Sequence, residues 1–122
     1  MHTREIPKPN WGHYLEALGN HKAYQPVRVQ VEGETLGAQP LAESMPLVGI
    51  SVEAKGSRKD AIELTLGGPG QGDFTHLIEH PAHLWVEEDE HGEVQAIDIE
   101  DELKIKTLIF FARAGERPPM GA

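Results

Sequence analysis

Apolar and polar residues alternate along much of this chain, and the period of the alternation changes once. Near the N-terminus, Trp11, Tyr14, Leu15 and Leu18 fall at i, i+3, i+4 and i+7, the stripe of an amphipathic helix. Asn10 stands where an N-cap would, Gly19 or Asn20 where the helix would stop, and Pro26 beyond them forbids continuation. A helix this short is marginal alone, so its stripe must pack on something. From Val27 onward the period is two. Val27, Val29 and Val31 alternate with Arg28, Gln30 and Glu32. Val48, Ile50 and Val52, and then Ile62, Leu64 and Leu66, repeat the pattern. Each set predicts a half-buried strand.

Further strands are predicted at 74–78, 83–88, 94–100 and 103–112, with another over 36–44 that Pro40 confines to an edge or a bulge. Asp89-Glu90-His91-Gly92 reads as a hairpin turn with Gly92 at positive φ, and Asp101-Glu102 as a second short connection. In the last strand Leu103, Ile105, Ile109 and Phe111 point one way. The other side begins with Lys104 and Lys106 and ends with Leu108 and Phe110. A strand apolar on both sides at one end predicts a curling sheet with the helix plugging one end. The expected fold is therefore α+β: an N-terminal amphipathic helix packed on a mainly antiparallel, strongly curved sheet or partial barrel of about six to eight strands. Residues 1–114 are expected to form a single α+β domain and 115–122 a disordered tail.

Composition narrows the function classes. The 122 residues include no cysteine, which removes disulfides, zinc–thiolate sites and thiol nucleophiles. The first residues have no apolar signal segment, and the longest apolar run, Leu108 to Ala112, is too short for a bilayer. A cytoplasmic protein with no membrane association is expected. The formal net charge of −9 disfavours nucleic acid. Nine carboxylates and no Lys or Arg lie between Glu87 and Glu102. Such a run is ordinarily a solvated face, and otherwise a docking surface for a basic partner or a cation.

Several runs carry a resemblance. They are Ile6-Pro7, Trp11, Gly37-Ala38-Gln39, Pro46-Leu47 with Gly49-Ile50-Ser51, Lys55-Gly56-Ser57 with Asp60-Ala61-Ile62-Glu63, Leu66-Gly67, and Thr75-His76 with Pro81. Over about residues 5–111 the chain resembles an uncharacterised bacterial family of small single-domain proteins known only as a domain of unknown function. The resemblance implies a self-contained domain and supplies no activity, ligand or catalytic residue.

Candidate chemistry is sparse. His76, His80 and His83, with Asp73 and Glu79 near, could ligate zinc, nickel or iron. The spacing matches no standard site, and the plain alternative is one partly buried His76 and two surface histidines. The glycine-rich run Gly67–Asp73 lacks the lysine and the following helix of a phosphate loop, so it reads as a connection between strands. Lys55–Lys59 reads as a solvated turn more than an anion site. Ser51 lacks the second glycine and following helix of a nucleophile elbow. No catalytic residue and no cofactor are assigned. Trp85 lies between Leu84 and Val86; if those two face the core, Trp85 faces the opposite side and could anchor an interface. The preferred reading is unknown function with a non-catalytic binding or interaction module, homodimeric through the face around Trp85. The alternative is a small metal-dependent or acid–base enzyme using His76 and its neighbours.

Overall fold

A computed structural model describes residues 2–53, 60–67, 70 and 72–111. The Lys55–Lys59 cluster, Gly68, Pro69 and Gln71 of the glycine-rich loop, and the 115–122 tail lie outside the described residues. Among the described residues one helix, α1 (Trp11–His21), follows strand β1 (His2–Glu5) and a single 3-10 turn (Lys8–Asn10). Seven strands come after it: β2 (Pro26–Gly33), β3 (Gly37–Val52), β4 (Ile62–Leu66), β5 (Phe74–Ile78), β6 (Pro81–Glu88), β7 (Val94–Asp101) and β8 (Lys106–Phe111).

The strands form one sheet in the order β1-β6-β7-β8-β2-β3-β4-β5, and every ladder is antiparallel. Its two edges, β1 and β5, do not pair with each other among the described residues. The sheet is open. The expectation of a strongly curved sheet or partial barrel is therefore corrected. The apolar second side of β8, which suggested curling, is instead the floor of a trough on the outer face, described below.

Alternation places the core where the period of two predicts. Val27, Val29, Ile62, Leu64, Leu66, Leu84, Val86, Ile97, Ile99 and Ile109 are fully buried, and Trp11, Leu15 and Leu18 of α1 join the same cluster. Burying each such side chain contributes about 1.5–3 kcal/mol. Strand β3 changes partner along its length: residues up to Pro46 pair with β2, and Leu47 onward pair with β4. Pro40 lies in the half with no second neighbour, next to a register shift against Val29 and Gln30, so its missing N–H breaks no ladder bond. The segments over 36–44 and 48–52 are thus one strand.

The helix departs from expectation at both ends. Asn10 makes no side-chain cap. Its start is fixed instead by Trp11, whose indole N–H donates to the Ile6 carbonyl at 2.8 Å, while the Ile6 N–H donates to the Leu84 carbonyl at 2.8 Å. Gly19 does not stop the helix but lies inside it, buried, where a Cβ would stand 3.5 Å from Ile50 Cγ2 on β3. A side chain of that size would make ordinary contact there, so the position is set by the helix continuing through it and not by a need for glycine. Leu103 and Ile105 precede β8 in the connecting turn, and Leu103 is 80% exposed.

Candidate functional site

Two depressions gather the residues that the sequence singles out. The first lies where the ends of β5 and β7 meet the start of β8. It has a volume of about 440 Å³, and His76, His80, Asp101, Glu102, Leu103 and Thr107 line it. His76 is half-buried on β5, with Nε2 3.4 Å from the Thr107 hydroxyl on β8. Burial holds its pKa below the ordinary histidine value, because a desolvated imidazolium is costly. His80 sits just beyond β5 at φ 52°, and its carbonyl accepts from the Glu102 N–H at 3.0 Å. Asp101 is engaged already: its Oδ1 accepts from the Leu103 and Ile105 backbone N–H groups.

His83 is elsewhere. On β6 its Nδ1 lies 2.7 Å from Glu5 Oε2, and its ring stacks on Trp85 at 4.9 Å between centroids. The structure brings His76 and His80 to one depression and leaves His83 outside it. No group of three or more His, Asp or Glu side chains among the described residues is placed to hold a metal ion. The set His76, His80 and His83 is not assembled, because Pro81 opens a new strand between His80 and His83.

The second depression is on the outer face. Leu84 and Val86 are fully buried, so alternation turns Trp85 outward. Strand register then fixes its neighbours. Trp85 is opposite Asp98, Asp98 opposite Leu108, and Leu108 opposite Gln30. In the next row Glu87 is opposite Ala96, Ala96 opposite Phe110, and Phe110 opposite Arg28. Trp85, Ala96, Leu108 and Phe110 thereby line a trough of about 480 Å³, with Asp98 at its centre.

The trough is apolar but electrostatically unfinished. Burial raises the pKa of Asp98; Lys106, with Nζ 3.9 Å from Oδ2, opposes the shift, and Glu100, Glu32 and Glu87 add to it. Asp98 Oδ1 is buried with no hydrogen-bond partner among the described residues. Arg28, 9% exposed, lies over the Phe110 ring at 5.3 Å and donates through Nη2 to Gln30 Oε1 at 2.6 Å. Gln30 in turn donates to Glu32. Arg28 Nη1 is buried and likewise unpartnered. Alternation points to Trp85, but Asp98 and Arg28 carry no sequence signal as site residues. Each reads as the polar member of an ordinary alternating strand, and only cross-strand register shows them on one apolar face.

The acidic stretch over 87–102 resolves into separate roles. Glu88 pairs with Arg4 at 2.9 Å. Glu93 takes a 2.5 Å hydrogen bond from Lys22, which with His21 holds the Glu93 pKa low. Asp89 and Asp101 cap turns through Oδ1.

One open antiparallel sheet of eight strands with a single short helix, among the described residues, defines a small α+β protein. The chain belongs to the family of unknown function DUF5335, whose model matches residues 2–120. It is 31% identical over 115 residues to an uncharacterized protein of Aquifex aeolicus (strain VF5), covering 89% of this chain and 96% of that relative. No solved structure matches it significantly. No helix among the described residues is long and apolar enough to cross a membrane.

Proposed function

We propose that this protein is a cytoplasmic, non-catalytic interaction module and that the outer face of β6, β7 and β8 is its binding surface. One observation carries the reading: Trp85, Ala96, Leu108 and Phe110 form an apolar trough on the side of the sheet away from the helix. Aromatic and aliphatic anchors in a concave patch, ringed by charge, are the usual anatomy of an interface centre. The test is titration with an uncharged apolar reporter such as Nile red, followed by NMR. The Trp85 indole N–H and the amides of Ala96, Leu108 and Phe110 are expected to shift saturably, and Leu108→Lys to abolish the response. Unmoved signals on that face would overturn the reading.

A second reading, a small metal-dependent or acid–base enzyme, draws support from His76 alone: a half-buried imidazole kept neutral beside His80 and acidic side chains in the 440 Å³ depression. It requires a thermal shift with zinc or nickel that His76→Ala removes. No shift with either metal would sink the metal version.

A further inference from the structure

We propose that the outer face binds a second copy of this chain about a two-fold axis crossing β8, with Asp98 of each copy paired to Arg28 of the other. The proposal rests on the reading of that face as a binding surface and names what covers it. It starts from two orphaned atoms of opposite charge type. Asp98 Oδ1 and Arg28 Nη1 are both buried without a hydrogen-bond partner among the described residues. A buried polar atom left unpaired costs free energy, more so in a charged group. A surface that supplies both partners recovers that cost.

The two groups do not satisfy each other within one chain. Asp98 stands opposite Leu108 on β8, and Arg28 stands opposite Phe110 on its far side. They are two strands across and two residues along from each other, about 12 Å on ideal sheet spacings. Leu108 and Phe110 lie between them.

A second copy solves this by symmetry. Consider a two-fold axis lying parallel to the face and perpendicular to the line from Asp98 to Arg28. It exchanges those two positions. Asp98 then meets the other copy's Arg28, and the reciprocal pair forms at the same time, as an isologous interface requires. The midpoint of the line falls on β8 between Leu108 and Phe110, so the axis packs the apolar strand of the trough on its counterpart. An unrelated partner would have to offer a cation and an anion at that same separation on an apolar face; this chain already does. The Asp98 side chain is 28% exposed, and the pairing requires Arg28, now packed over Phe110, to turn outward to the second copy.

Sedimentation equilibrium on the full chain, from micromolar to millimolar concentration, tests the proposal. The wild type is expected to form a dimer. Asp98→Arg and Arg28→Asp, each alone, juxtapose like charges and are expected to weaken association at least about tenfold. Mixed in equal amounts, the two variants regain both opposite-charge pairs in the heterodimer, and association is expected to return. A monomeric wild type, single variants that dimerise unimpaired, or a mixture of folded variants that stays monomeric would each overturn it. Should either variant fail to fold by circular dichroism, a mixed sample of isotope-labelled and unlabelled wild type decides. Intermolecular NOEs between Leu108 methyl groups and the Phe110 ring support the interface, and their absence overturns it. A monomeric wild type that still takes up the apolar reporter removes the second copy but keeps the binding surface. A chain that does neither removes both.

Discussion

The strands β6, β7, β8 and β2 have two faces built by the same alternation, and the faces differ in what covers them. Inward, Leu84, Val86, Ile97, Ile99, Ile109, Val27 and Val29 are fully buried in one cluster with Trp11, Leu15 and Leu18 of α1 and Ile62, Leu64 and Leu66 of β4. Outward, Trp85, Ala96, Leu108 and Phe110 are also apolar and line a trough, and two buried polar atoms on that side have no hydrogen-bond partner among the described residues. The lesson is that apolar content alone does not separate core from interface. Cover does, together with whether every buried polar group is satisfied. Stability resides in the inner face, and the recognition proposed above would use the outer.

The largest effect should fall on the inner face. Ile97→Ala leaves a cavity in the centre of the core and is expected to cost about 2–5 kcal/mol in urea unfolding. Leu108→Ala, one strand away on the outer face, is expected to cost about 1 kcal/mol or less at a concentration where the chain is monomeric. Comparable losses at the two positions would erase the distinction between the faces.

Asp98 sharpens it further, because there stability and association should move in opposite directions. Burial holds its carboxyl above the ordinary aspartate value, so the folded chain binds this proton more tightly than the unfolded chain does. The charged form therefore destabilises the fold at every pH above the folded value. That penalty is relieved as pH falls toward the unfolded value of about 3.9. Asp98→Asn is expected to raise the melting temperature of the monomer at neutral pH, with the gain gone at strong acidity, and to weaken the dimer. A variant that melts lower at neutral pH would show that the ion pair with Lys106 outweighs burial.

His76 provides the matching measurement in the other depression. Its folded pKa is lowered, so the folded chain binds this proton less tightly than the unfolded chain. Stability should fall as pH drops from the unfolded histidine value of about 6.5 through the lower folded value. His76→Gln should flatten that part of the pH–stability curve. An unchanged slope would place the titration on another histidine.

Much of this arrangement is legible in the chain, for physical reasons that differ by region. The period of two marks β2, β4, β6 and β7 because each has one face in the core and one outside. It also places Trp85 outward once Leu84 and Val86 are assigned inward. The period cannot reveal β1, whose four residues His2 to Glu5 are all exposed and which joins the sheet by backbone pairing to β6. Nor can it tell a doubly apolar strand in a curled sheet from one with an uncovered trough, since Leu108 and Phe110 look the same in both. Gly19 shows the same limit on the helix: a glycine near a helix end signals a stop, yet this one lies buried inside the helix against Ile50. That Asp98 and Arg28 share one face depends on register across three strands, which no local pattern encodes.

The smallest effect compares two turns. Asp89 and Asp101 each accept, through Oδ1, from the backbone N–H groups two and four residues ahead, at 2.8 and 2.9 Å in both cases. In each turn the N–H three residues ahead donates to the aspartate carbonyl at 3.0 Å. That third residue is left-handed in both, Gly92 at φ 79° and Lys104 at φ 66°. Geometry is shared, and only the first turn has the residue suited to it. A non-glycine side chain there costs about 1–2 kcal/mol, partly offset by the extra freedom glycine gains in the unfolded chain. Lys104→Gly is accordingly expected to stabilise the protein by about 0.5–1 kcal/mol in urea unfolding, and Gly92→Ala to destabilise it by a similar amount. Equal and opposite shifts would make the two turns energetically one motif. A Lys104→Gly variant no more stable than wild type would instead show that Lys104 makes a compensating contribution at the rim of the acidic turn.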